Sequence, residues 1–158
     1  MGTSTDAILF YGMTADEEGS FESLVQMGRF DGCGDIDGVI ARLAGFDTPY
    51  ATFEDYAAYK AAKLAAIAAS PEAVRLQSLG VKYADHGADS YRIPYLYVQE
   101  VTASRGSPVE VALWNLDLDQ PCDGADARLQ EAVAILTEGT EYPPTWSDVG
   151  WHLVSWGG

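Results

Sequence analysis

Residues 6–11 place the tightest constraint on how this chain can fold. In an extended segment Ile8 and Phe10 share one side, and Leu9 and Tyr11 share the other. Successive strand residues face opposite ways, so a strand here is apolar on both faces. That pattern belongs to the interior of a sheet rather than to its edge. Gly12 reads as its end, and residues 14–20 (TADEEGS) read as a charged loop. Residues 21–30 fit a short helix or irregular cover.

A helical block follows. Asp35 is placed to cap a helix over residues 36–44, with Val39, Ile40 and Leu43 as its apolar stripe and Gly45 at its C-terminal end. Thr52 with Asp55 resembles a capping box, and Glu54 adds negative charge to that first turn. The strongest helix is therefore expected from Thr52, with Phe53, Tyr56, Leu64 and Ile67 as its apolar stripe. The alanines of residues 57–69 raise its intrinsic propensity. Ser70 then caps a further helix with Pro71 at its first position, ending at Gly80.

From Val81 the periodicity becomes that of strands. Residues 81–85 form a short one. Residues 90–103 alternate, with Tyr91, Ile93, Tyr95 and Tyr97 on one face and Leu96 and Val98 on the other. Pro94 lacks a ladder donor and predicts an edge position or an early bulge. A turn at residues 105–108 leads to a partner strand over 109–118. Asp123 reads as the cap of a last helix with the stripe Leu129, Ala132, Val133 and Leu136, closed by Gly139. Tyr142-Pro143-Pro144 is a stiff connector, and residues 150–156 form the last strand.

The order of elements predicts an α+β fold, with a mainly antiparallel or mixed sheet of about five strands and helices packed on one face. At 158 residues and 47% hydrophobic, the chain is the size of one domain and has material for a core without disulfides or metals. A single domain over 1–158 is expected, with the helical block 35–79 as a candidate subdomain or lid. The opening residues lack the basic and apolar regions of a signal peptide. No stretch approaches the roughly 20 apolar residues of a membrane span. Cytoplasmic residence is the resulting expectation.

Charge narrows the function classes. The formal net charge is −15, from 24 acidic and 9 basic residues. Residues 1–59 carry a net −9, residues 60–109 a net +2, and residues 110–158 a net −8. Such an excess disfavours direct contact with nucleic acid or anionic lipid and favours basic surfaces.

Asp31-Gly32-Cys33-Gly34-Asp35-Ile36-Asp37-Gly38 alternates acids and glycines as a calcium loop does. Started at Cys33, such a loop needs its bidentate glutamate at Ala44; started at Asp31, it needs glycine at Ile36. Both registers fail, so a turn and a helix cap account for the segment. Cys33, Cys122, His86 and His152 have no zinc-ligand spacing, and no metal or cofactor is expected. His86 beside Asp85 and Asp89 reads as a surface turn, with a general base as the sharper alternative. His152, between Trp151 and Leu153, reads as a packed histidine. No nucleophile elbow or phosphate-cradling glycine loop is present.

What remains is a binding surface. Asp16, Glu17, Glu18, Glu22, Asp31, Asp35 and Asp37 lie toward one end of the chain, and Asp117, Asp119, Asp123 and Asp126 toward the other. Carboxylates presented at roughly phosphate spacing can occupy the nucleic-acid channel of a basic partner; a solvated acidic surface is the plainer explanation. Tyr91, Tyr95, Tyr97, Trp114, Trp146, Trp151 and Trp156 add residue types that anchor interfaces.

The opening TDAILFYG, the acidic EEG that follows it and the closing WHLVSWGG resemble a group of small acidic bacteriophage-encoded proteins, mostly without assigned activity. The resemblance covers only these end segments and carries no functional residue with it. It implies a phage or prophage accessory protein acting in the host cytoplasm. Small acidic phage proteins include inhibitors of host defence, among them anti-CRISPR proteins that imitate nucleic acid. The implied partner is a basic host protein or ribonucleoprotein complex. Two other classes stay open: a small enzyme or ligand-binding protein with a pocket between sheet and helical block, where His86, Asp85 and Tyr95 come first, and a virion structural or assembly protein.

Overall fold

The structure, a computed structural model, describes residues 5–15, 35–88, 91–103, 124–139 and 145–157. Four strands are present among them: β1 (Thr5–Thr14), β2 (Lys82–Ala88), β3 (Tyr91–Ala103) and β4 (Gly150–Gly157). They form one antiparallel sheet in the order β2-β3-β1-β4. β1 is an inner strand, as its two apolar faces require. The described sheet has four strands rather than about five; the strand expected over 109–118 lies outside the described residues.

Two expectations for the strands are corrected. Gly12 does not end β1, which continues to Thr14 and then bridges through Ala15 to Trp146. Gly12 sits instead at a register shift, where β3 carries one extra residue, Val98, between the Tyr11–Gln99 and Gly12–Tyr97 pairs. The strands approach so closely there that a Cβ on residue 12 would run into the Leu96 carbonyl. Pro94 does not mark an edge either, because β3 lies between β2 and β1. Its carbonyl accepts from the Ala15 amide at 3.1 Å, so its missing N–H falls where the β1 ladder is ending. The bulge comes later in β3 than the proline.

The helices are α1 (Ile36–Leu43), α2 (Tyr56–Ala69), α3 (Pro71–Ser78) and α4 (Ala125–Thr137). Asp35 caps α1 by accepting from Gly38 N, and Ser70 caps α3 by accepting from Ala73 N, with Pro71 at the first position. α2 starts later than Thr52 predicts. A 3-10 turn occupies Tyr50–Thr52, and Asp55 is the true cap, accepting from Ala58 N at 2.7 Å. The N-cap position of α4 is Gly124 at φ 70°; Asp123 lies outside the described residues.

The described helices pack on one face of the sheet. Tyr11, Met13, Tyr83 and Leu96 meet Val39 and Ile40 of α1, Ile67 of α2, Ala73 and Leu76 of α3, and Leu129, Ala132 and Leu136 of α4. Each fully buried aliphatic side chain there contributes about 1.5–3 kcal/mol. Polar ties reinforce the layer. Arg128 of α4 donates to the Leu79 carbonyl at the C-terminal end of α3, at 3.0 Å. Arg75 of α3 forms a bidentate pair with Glu131 of α4.

The opposite face holds a second, aromatic cluster of Ile8, Phe10, Tyr95 and Tyr97. Phe10 stacks on Tyr95 with centroids 4.4 Å apart, and on His152 at 5.2 Å. His152 is thus a packed face residue. Burial, with Glu100 adding to it, pushes the Tyr97 phenol above its ordinary value.

Candidate functional site

Of the eleven carboxylates in the predicted docking surface, Asp35, Asp37 and Asp126 are described. Asp16, Glu17, Glu18, Glu22, Asp31, Asp117, Asp119 and Asp123 lie outside the described residues. Asp35 and Asp37 share the start of α1, both exposed. Asp35 is committed to its cap, whereas Asp37 supplies charge to the first turn. Asp126 stands on a different element, in the first turn of α4, where it accepts from the Tyr11 hydroxyl at 2.8 Å. Two of the three therefore have structural duties as well as charge.

Asp85 and His86 are consecutive in β2, opposite Pro94 and Ile93. Tyr95 is only 2% exposed and stacks within the second cluster. Between the sheet and the helical block, described side chains of both layers pack into the main core. Ser147 Oγ lies 3.5 Å from His152 Nε2, but it also accepts from Thr14 N at 3.0 Å and contacts the Asp148 carbonyl at 3.0 Å. Those bonds fix Ser147 as a brace between β1 and the start of β4, not as a free nucleophile. Among the described residues, no group of three His, Cys, Asp or Glu side chains could hold a metal ion.

A cleft lined by described residues lies elsewhere, within the helical block. At the end of α1, Gly45 takes φ 73°. Gly45 N then bonds to the Arg42 carbonyl and Phe46 N to the Ala41 carbonyl, both at 2.9 Å. This Schellman closure reverses the chain and turns Phe46 back toward the helix. Pro49 opens the 3-10 turn that sets Tyr50, and the Asp55 cap then starts α2 with Tyr59 in its first turns. The result is a cleft of about 310 Å³ lined by Phe46, Tyr50, Tyr59, Pro49, Arg42 and Lys63, together with Asp47, Thr48, Gly38 and Ala41.

Its wall is an aromatic network. Tyr59 is the hub, meeting Phe46 at 5.5 Å, Tyr50 at 5.6 Å and Phe53 at 5.5 Å edge-on, and stacking with Tyr56 at 6.2 Å. Edge and offset geometries of this kind are favourable pairings, so the rings hold one another in place. Yet the group is not core: Tyr50 is 54% exposed and Tyr56 64%. The cation Arg42 bonds Asp47 through Nη1 at 2.9 Å. Lys63 is half-buried and has no carboxylate within ion-pair distance among the described residues.

These residues escaped the sequence reading. The spacing of Phe53, Tyr56, Leu64 and Ile67 predicts one apolar stripe on the helix that Thr52 opens. In the structure only Ile67 of α2 is buried, and Leu64 is 52% exposed. The available signal was the run Phe46, Tyr50, Phe53, Tyr56, Tyr59 across a segment interrupted by Pro49, too aromatic for a single amphipathic face. No protein family, curated protein or solved structure matches the chain.

Proposed function

We propose that this chain is an acidic interaction protein that docks its carboxylates on a basic, nucleic-acid-binding surface of a partner, as a phage-encoded inhibitor of a host defence complex would. The observation that carries this reading is the unneutralised outward charge. Asp37, Glu54, Glu72, Glu100 and Asp148 are all exposed. The ion pairs between described residues take up Asp47 and Glu131 and none of these five. A surface of this kind costs self-repulsion in the free protein, and a basic partner relieves it.

The test is protection in cells. A phage sensitive to an RNA-guided nuclease is plated on hosts expressing either the wild-type chain or a variant combining Asp16→Lys, Glu17→Lys and Glu18→Lys. We expect the wild-type chain to restore plating and the charge-reversed chain, at equal abundance, to lose that protection. Failure of the wild-type chain to protect against any such nuclease would contradict the defence role. Equal protection by both chains would contradict the docking mode.

A further inference from the structure

We infer that the cleft between α1 and α2 binds a small aromatic anion: a planar ring seated against Tyr50 and Tyr59, with its carboxylate or phosphate on Lys63. This does not rest on the docking reading, because the cleft's chemistry is the opposite of the acidic surface. Size comes first. At about 310 Å³ the cleft stands at the lower end of small-molecule sites, which run from about 300 Å³. That suits one ring system with a short polar tail rather than a folded partner.

The lining gives the ring preference. Three aromatic side chains and Pro49 line one small space, and Tyr59 is held by four neighbouring rings. A wall fixed before binding costs little ordering entropy when a planar ligand stacks on it. Of the three rings that line the cleft, Tyr50, more than half exposed, has most surface left to cover.

The charge preference follows from Lys63. In a chain with 24 acidic and 9 basic residues, a carboxylate partner for any lysine is easily supplied. Lys63 is half-buried in this cleft without one among the described residues, while Arg42 beside it bonds Asp47 through Nη1. An ammonium held partly away from water attracts an anion more strongly than a fully solvated one.

The test uses the full chain and four defined probes: AMP, adenosine, indole-3-acetate and indole-3-acetamide, each titrated while the Tyr50 and Tyr59 ring resonances are followed by NMR. We expect saturable shifts of both rings, with each anion bound more tightly than its neutral counterpart. AMP against indole-3-acetate separates phosphate from carboxylate as the favoured group. Lys63→Gln, which keeps much of the aliphatic stem, should weaken the anions by about tenfold and leave the neutral probes unchanged. Tyr50→Ala should weaken all of them. Absence of saturable shifts, or equal affinity of wild type and Lys63→Gln for the anions, would overturn the inference. Thermal unfolding of each variant shows whether a lost signal is lost folding. If Lys63→Gln does not fold, the anion-over-neutral preference of the wild-type chain decides the matter.

Discussion

The hydroxyl of Tyr11 donates to Asp126 Oδ1 at 2.8 Å, tying an inner strand of the sheet to the first turn of α4. The bond bridges 115 residues of sequence. It also gives Asp126 a place in the fold, where its charge favours the helix N-terminus. We expect Tyr11→Phe to lower stability by about 1 kcal/mol, and a cycle with Asp126→Ala to show coupling of about 0.5–1.5 kcal/mol. Urea unfolding of the two single variants and the double variant measures both. Additive losses would mean that the bond contributes nothing.

Asp35 and Asp37 should separate under substitution. Asp35→Ala removes the cap on Gly38 N and is expected to cost about 1 kcal/mol. Asp35→Asn keeps a capping oxygen while deleting the charge, so its stability should stay near wild type. Asp37→Asn should also leave the fold nearly unchanged. Comparing the two asparagine variants in unfolding and in partner binding isolates charge from structure at the start of α1.

Gly12→Ala should be among the most damaging small substitutions in the chain. The added methyl meets the Leu96 backbone at the bulge, and neither strand can yield without breaking the register. A loss of about 3 kcal/mol is expected, at the upper end of overpacking effects. Gly150→Ala, where nothing lies near the new Cβ, is the control. A mild effect at position 12 would show that the bulge can relax.

Tyr97 should ionise late. Its folded value is raised from 10.0, first by burial and then by Glu100. An acid whose folded value is raised contributes stability in full below its unfolded value and loses it as pH climbs toward the folded one. Stability should therefore fall as pH rises past about 10. Spectrophotometric titration should show a late tyrosine component that disappears in Tyr97→Phe. Ionisation of all tyrosines together would contradict the placement.

The parts of the fold that the sequence predicts well are those set by local chemistry. Ile8, Leu9, Phe10 and Tyr11 leave no polar face, so an interior strand follows whatever its neighbours are. Asp35, and Ser70 with Pro71, carry their capping chemistry in their own side chains. Thr52 misleads because it too has a capping hydroxyl, and that hydroxyl is used instead on the Pro49 carbonyl of a 3-10 turn. Gly12 reads as a terminator because only the approach of β3 reveals its role. The stripe on α2 fails for a related reason. An alanine-rich helix forms on its own propensity, and periodicity does not reveal whether another element covers Tyr56 and Leu64. The aromatic cleft is hidden for the same reason: spacing alone does not separate rings that pack into a core from rings that line an open cleft.

The docking reading is tested most directly by the affinity of the chain for a purified RNA-guided nuclease complex, measured by calorimetry without nucleic acid at two salt concentrations. Raising salt from about 0.1 M to about 1 M shortens the screening length from about 10 Å to about 3 Å. We expect affinity to fall at least about tenfold over that range, and to fall likewise at low salt when Asp16, Glu17 and Glu18 are all changed to lysine. Tight binding that is indifferent both to salt and to charge reversal would contradict docking through the acidic surface.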